Sequence, residues 1–300
     1  MIAATFALGA VLLCLVALPE ILRATTAFDR SPRVGLVLWV ALCVVGWLSA
    51  IIFFLEVGLD GFHTPLLVAV ARFVRHLGDG HPLRGLGLTE VVGLSVAFDI
   101  LVLLLGALIV ASWQNWDVRH QQRIVLDLVA RPATRREEYC LIQHSRPLAY
   151  FLPGAGGRIV LSTGALDVLS SLELDAVVAH ELGHRHGRHG ALLVPLQALS
   201  PFVAFLPLAR YAPAAVRGYL EMTADDFARS RSPVNDLKTA LEKSALFYRP
   251  PLGTLGAADA IVERRIKRLS SSTTPTRDTW WLVTIVGCCV TLLWALLSLH

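Results

Sequence analysis

The stretch Val34-Gly35-Leu36-Val37-Leu38-Trp39-Val40-Ala41-Leu42-Cys43-Val44-Val45-Gly46-Trp47-Leu48-Ser49-Ala50-Ile51-Ile52-Phe53-Phe54-Leu55 contains no charged residue. A helix crosses the ~30 Å hydrocarbon core of a bilayer with about 20 apolar residues, each rising ~1.5 Å. This run is therefore read as a membrane-spanning helix, and three others resemble it. The first covers Ile2 to Leu18 and continues through Pro19-Glu20 to Leu22. It has no Lys or Arg ahead of the apolar residues and no small-residue cleavage site, so it reads as a span and not as a signal peptide. The third covers Val91 to Trp113 and contains one ionisable residue, Asp99; the fourth, Trp280 to Leu299, is free of charge. Trp113, Trp116, Trp280 and Trp281 stand at run ends, where indoles prefer the headgroup zone.

Composition agrees. Hydrophobic residues make up 55% and charged residues 17%, with a mean hydropathy of +0.59, against about 25% charged in ordinary soluble chains. A soluble globule and a disordered chain are both excluded. A net charge of +4 is too mild for a nucleic-acid binder, so no direct nucleic-acid binding is expected. The five cysteines form no CxxC pair, which argues against a disulfide framework or a thiolate zinc site.

Arginines near the run ends set the expected orientation. Arg23, Arg30 and Arg33 follow the first run, Arg119, Arg123 and Arg131 follow the third, and Arg264, Arg265, Lys267, Arg268 and Arg277 precede the fourth. In the loop from Glu56 to Glu90, Arg72, Arg75 and Arg84 are offset by four acids. The expectation is that both termini lie outside and residues 114–279 lie in the cytoplasm of a multi-pass plasma-membrane protein. Asp99 is expected to hydrogen-bond a neighbouring helix, the alternative being a functional intramembrane carboxylate. A further apolar stretch, Ala191 to Val216, is interrupted by Pro195, Pro201, Pro207 and Pro213, so no single straight helix fits it.

The chemistry lies in Leu174-Asp175-Ala176-Val177-Val178-Ala179-His180-Glu181-Leu182-Gly183-His184. On a helix, His180 and His184 stack on one face and can hold one zinc ion. Glu181 projects beside them, where it can act as general base on a water without ligating the metal. The residues before the motif are apolar, and two buried histidines with a buried glutamate are costly unless paired or metal-bound. A catalytic zinc needs a third protein ligand and one open position. Glu221, in Leu220-Glu221-Met222-Thr223-Ala224-Asp225-Asp226, is the candidate. Asp225 shares its helical face and is placed to orient a ligating imidazole, while Asp226 falls on another face and reads as solvated. Since His184 and Glu221 must meet at one ion, Ala191 to Val216 crosses the membrane either not at all or twice.

His180-Glu181-x-x-His184 followed by Glu221-x-x-Ala224-Asp225 resembles the gluzincin membrane metallopeptidases, among them the HtpX and CAAX-processing proteases and the BlaR/MecR-type antirepressor peptidases. Ala149 to Gly154 and Arg158 to Gly164 resemble the strand pair that precedes the zinc helix in that group, and Glu263 to Leu269 its later arginine-containing helix. The resemblance implies one zinc per chain and a protein substrate. It also implies an edge strand that pairs with that substrate, with Leu152, Pro153 and Gly154 as substrate-binding candidates. The implied architecture is a mainly α integral membrane protein with about four spans and an α+β gluzincin-like domain. Residues 1–113 then form a membrane domain with helices at about 2–22, 34–55 and 91–113, residues 114–279 the metallopeptidase domain, and 280–300 a fourth transmembrane helix.

That layout looks most like the BlaR/MecR-type membrane portion, whose substrate is a transcriptional repressor. The chain ends at His300 without a sensor domain, which makes direct β-lactam sensing doubtful. HtpX-like enzymes, acting in membrane-protein quality control, place two spans between the metal motifs, which Ala191 to Val216 could imitate. His186 and His189 read as non-ligands, Arg188 as either substrate-positioning or solvated, and His144 and Tyr150 as weak oxyanion candidates. The rival readings are a non-catalytic zinc-stabilised scaffold, disfavoured by Glu181, and a metal transporter, disfavoured by spans without histidine.

Overall fold

The computed structural model describes residues 2–81, 83–129, 131–132, 139–154, 157–247 and 255–271, with the isolated positions 284, 285 and 288. Apart from those three positions, the expected span at 280–300 lies outside the described residues. Among the described residues three helices are long and apolar enough to cross a membrane: Ala4–Leu22, Pro32–Phe62 and Leu88–Leu128.

The first comprises α1 (Ile2–Leu12) and α2 (Leu18–Leu22), joined by five π-helical residues, Leu13–Ala17. Pro19 has no amide hydrogen to give back to the preceding turn, so the winding widens just ahead of it. Helix α3 (Pro32–Leu59) begins on a proline, whose missing donor costs nothing in a first turn. Helix α4 (Leu66–Gly78) leads to α5 (Leu88–Val129). Helices α3 and α5 cross on two glycines. A Cβ on Gly58 would fall 2.6 Å from the Leu94 nitrogen, and one on Gly93 would fall 2.7 Å from the Gly58 nitrogen. Small residues let membrane helices approach this closely.

One expected limit is corrected by α5. The helix that carries the third apolar run does not stop at Trp113: it runs unbroken to Val129, 42 residues in all, or about 63 Å. Its sequence turns polar after Trp113, but no Gly or Pro occurs from Ala107 to Arg131, so nothing ends the backbone hydrogen bonding. Asp99 makes no hydrogen bond to a neighbouring helix among the described residues and is exposed. Buried Gly93 and Ala97 turn inward, and two residues beyond Ala97 the helix faces outward, as exposed Val92 and Val102 also do.

Beyond α5 lies a four-stranded sheet of β1 (Arg131–Pro132), β2 (Tyr139–Ile142), β3 (Ala149–Leu152) and β4 (Arg158–Ser162), in the order β1-β2-β4-β3. Strands β2 and β4 are parallel, with Cys140 opposite Val160; β3 and β4 are antiparallel, with Tyr150 opposite Val160. Alternation along the strands builds two cores. Cys140, Ile142, Tyr150, Leu152 and Val160 pack on Leu126 at the far end of α5. Tyr139, Leu141, Phe151, Ile159 and Leu161 pack on Leu174, Val177, Val178 and Leu182 of α7 (Ser171–His186), which follows the short α6 (Thr163–Val168). The extension of α5 is thus one wall of the peptidase-like part.

The proline-rich stretch forms a helical hairpin, α8 (His189–Leu199) and α9 (Pro207–Arg229), whose turn is closed by Ser200 Oγ donating to the Ala209 carbonyl at 2.7 Å. At 11 residues α8 is too short to cross a bilayer. Leu208, Ala212, Val216, Tyr219, Leu220 and Met222 of α9 share one core with Cys14, Leu15, Trp39, Leu42 and Val45 of the first two spans. Helices α10 (Val234–Phe247) and α11 (Leu255–Ser270) complete the fold. Lys243 of α10 reaches Glu173 at 2.8 Å. Arg264 pairs with Asp29, and Arg268 Nε donates to the Asp29 carbonyl at 2.7 Å, tying α11 to the loop after the first span.

Candidate metal centre

Helix α7 starts on a capping box: the Ser170 hydroxyl accepts from the Glu173 amide, and the Glu173 carboxylate accepts from the Ser170 amide at 2.8 Å. The helix is therefore fixed in phase ten residues ahead of His180. Its partner across the site is α9. A Cβ on Gly183 would fall 3.0 Å from the Ala224 α-carbon, so the two helices touch along their backbones. That approach carries Glu221 to the two imidazoles.

His180 Nε2 and His184 Nε2 are 3.1 Å apart, with Glu221 Oε2 3.3 Å from the first and Glu221 Oε1 3.5 Å from the second. Tetrahedral zinc bonds of ~2.0–2.1 Å separate their donors by about 3.3–3.4 Å, and the three donor atoms here lie within 4.8 Å of one another, close to that spacing. Among the described residues this is the one group of three or more His, Cys, Asp or Glu side chains placed to hold a metal ion. Two imidazoles and one carboxylate suit zinc.

The outward-facing nitrogens are engaged too. His180 Nδ1 lies 3.0 Å from Asp225 Oδ1. His184 Nδ1 lies 2.8 Å from His189 Nδ1, whose ring reaches Thr223 Oγ1 through Nε2 at 3.3 Å. The Thr223 hydroxyl gives its one hydrogen to the Leu220 carbonyl at 2.8 Å, so its oxygen accepts from His189 Nε2–H. This network assigns an unprotonated Nδ1 to His189, which accepts from His184 Nδ1–H. Asp225 Oδ1 stands against His180 Nδ1 as a charge contact, without an aligned hydrogen bond. His184 is left with a bare Nε2 facing the metal position.

Arg265 of α11 closes the array. Its Nε and Nη2 grip the two Asp225 oxygens at 2.9 and 2.7 Å, and Nη1 lies 3.0 Å from Glu221 Oε2. Burial alone would raise the pKa of Glu221 and Asp225, but Arg265 and His180 hold both below the usual carboxylate range. Burial alone would lower His180, but the carboxylates of Asp225 and Glu221 beside its ring outweigh that and push it up to about 9. The pocket is thus built to hold positive charge between the His180 and His184 imidazoles and the Glu221 carboxylate.

A cavity of about 1530 Å³ opens over these groups. Glu181 lines it beside His180, as do Leu152, Pro153 and Gly154 at the end of β3, the free edge of the sheet. Tyr150 and Arg188 also line it. His144 does not; it sits in the β2–β3 turn with its Nδ1 accepting from the Arg146 amide at 3.1 Å. His186 points away and stacks on Phe227 with ring centroids 5.4 Å apart. Asp226 is not merely solvated: Arg268 Nη2 donates to it at 2.6 Å, because the turn of α9 that carries it faces α11. Sequence reading assigned no role to Arg265, to the His189–Thr223 pair or to the wall formed by Asn115, Val118, Arg119 and Gln122 of α5. For the last, the i, i+3, i+4, i+7 spacing was the available signal.

If His189 fixes the tautomer of His184, His189→Ala will weaken zinc binding by about 10- to 100-fold while the fold persists. Chelator competition measures the first, and far-ultraviolet circular dichroism the second. Unchanged affinity would leave His189 no positioning role.

No curated protein and no solved structure matches this chain. Residues 112–240, which include His180, Glu181, His184, Glu221 and Asp225 but not Arg265, match the family model of Peptidase family M48, and this supports a metal-dependent peptidase of that family.

Proposed function

We propose that the protein is a membrane-embedded zinc endopeptidase that hydrolyses peptide bonds of a protein substrate at the cytoplasmic face. The observation that carries this reading is the three-donor corner formed by His180, His184 and Glu221, open to a cavity that Glu181 also lines. A purely structural zinc site is closed by a fourth protein ligand; a catalytic one leaves that position to water or substrate. The ion, when bound, supplies Lewis acidity and lowers the pKa of a water towards ~7.

The chain's own residues do the rest. Glu181 takes a proton from the attacking water and delivers it to the leaving amine. The free edge of β3 lies along the cavity, where an extended substrate backbone can add to it as a further strand. Asp225, His189 and Arg265 keep the ligand side chains in register.

As to the biological role, the first reading is cleavage of a transcriptional repressor in regulated signalling, because α8, at 11 residues, supplies no span between the metal motifs, where HtpX-like enzymes carry two. Membrane-protein quality control of the HtpX type is the alternative, distinguished by comparing membrane and cytoplasmic peptides between wild-type and silenced cells.

The direct test is metal removal. Detergent-purified protein should contain one zinc per chain by mass spectrometry, lose casein cleavage on treatment with a chelator, and regain it with stoichiometric zinc. Cleavage that persists in fully stripped protein would refute the reading.

A further inference from the structure

The walls of the cavity carry six arginines, Arg119, Arg146, Arg185, Arg188, Arg217 and Arg265, against three glutamates, Glu181, Glu221 and Glu263. Arg265 is committed to Glu221 and Asp225. None of the other five has an ion pair among the described residues, whereas Arg264, Arg265 and Arg268 nearby all face carboxylates. The unpaired arginines come from different elements. Arg185 lies in the last turn of α7 just past His184, and Arg188 is at the cap of α8. Arg217 lies one turn before Glu221 on α9, Arg119 comes from the α5 wall, and Arg146 stands ahead of β3.

Arg119 and the start of α8 meet closely: its Nη2 would be 2.8 Å from a Cβ at Gly190, two residues past Arg188. Arg119 is half-buried, and no carboxylate pairs with it among the described residues. Arg188 is held at a φ of 49°, a left-handed conformation that non-glycine residues seldom adopt. Glu181 and Glu221 belong to the metal site, which leaves exposed Glu263 as the remaining acid in the cavity wall. A concave wall of one sign focuses its field on whatever enters, and a bound divalent cation adds to that sign.

We infer that the cavity selects polypeptide segments carrying Asp or Glu within a few residues of the scissile bond, with Arg119, Arg185, Arg188 and Arg217 as the specificity-determining residues. This rests on the reading of the cavity as a substrate cleft. Guanidinium forks match carboxylates in geometry as well as charge. The arginines share their cavity with the metal ligands and Glu181, which favours a substrate side chain over a lipid headgroup as their partner.

The test uses the full-length, zinc-loaded Glu181→Gln protein in a neutral detergent, so that binding is read without hydrolysis. Labelled peptides of equal length carry Glu, Gln or Lys on either side of one apolar dipeptide. By fluorescence anisotropy the Glu peptide should bind at least about tenfold more tightly than the Gln peptide, a charge-assisted contact's worth. The gap should shrink in high salt. Adding Arg119→Gln and Arg188→Gln should reduce it below about threefold with the melting temperature unchanged.

Equal affinity for Glu and Gln peptides overturns the inference, and a preference that survives the two substitutions overturns its assignment to Arg119 and Arg188. Loss of binding to phosphatidylglycerol nanodiscs in that variant, with no peptide preference to lose, would make the arginines a lipid site and overturn it as well. If the acid preference holds but wild-type protein cleaves none of the peptides, the cleft's selectivity stands and the peptidase reading is what fails.

Discussion

Glu181→Gln protein will retain one zinc per chain and lose peptide-bond cleavage by about 10²–10⁴-fold in kcat, the span typical of a removed general base. The two halves of the result test different things. Glu181 is not one of the three side chains that converge on the metal position, so neutralising it leaves the ligand set intact. It does line the open cavity beside His180, where an amide can hydrogen-bond a water but cannot take its proton. Metal analysis and a fluorogenic peptide assay on the same preparation decide the matter. Retained activity would remove Glu181 from the mechanism. Lost metal would mean that the glutamate supports the ligand geometry, and the activity loss could then not be assigned to proton transfer.

The spans and the metal motif were legible for the same reason: each is encoded within one helix. Val34 to Leu55 needs only hydropathy, and His180 and His184 need only a 3.6-residue period. Glu221 and Asp225 were singled out because their four-residue spacing repeats that logic on a second helix, and the fold brings both beside His180. What sequence alone did not give is long-range pairing. The string Glu263 to Leu269 offers Arg264, Arg265 and Arg268, and in the fold each finds a different acid: Asp29, Asp225 with Glu221, and Asp226. Choosing among them requires the phase of α11 against α9, which no local pattern supplies. His189 was left out of the ligand set by position, and its contact with His184 depends on the αL turn at Arg188, which bends the chain between α7 and α8. The end of α5 was misjudged differently. Apolar residues were taken to mark the limits of the helix, although helices end at breakers and caps, and none occurs there.

The largest effect on stability is expected at Arg265. Its side chain is 9% exposed, and it holds the side chains of Asp225, 1% exposed, and Glu221, 26% exposed. Replacing Arg265 with Met keeps the side chain's length and apolar stem but leaves two acids facing each other beside His180. Breaking a buried charge cluster by removing one partner costs about 3–5 kcal/mol, because the remaining charges are stranded away from water. For a chain with a marginal folding free energy this is a large share, and it should appear as a much lower melting temperature in detergent. Arg265→Lys separates charge from geometry: the ammonium restores the positive charge but cannot bridge both Asp225 oxygens and Glu221 together. It should recover part of the stability while zinc affinity stays reduced, since Asp225 no longer holds His180 in place. Saturating zinc should recover more stability in the Lys variant than in the Met variant, because ligand binding stabilises only as far as the site it needs still forms. A melting temperature unchanged in both would mean that Glu221 and Asp225 are held by something other than Arg265, and the charge network described for this site would have to be redrawn.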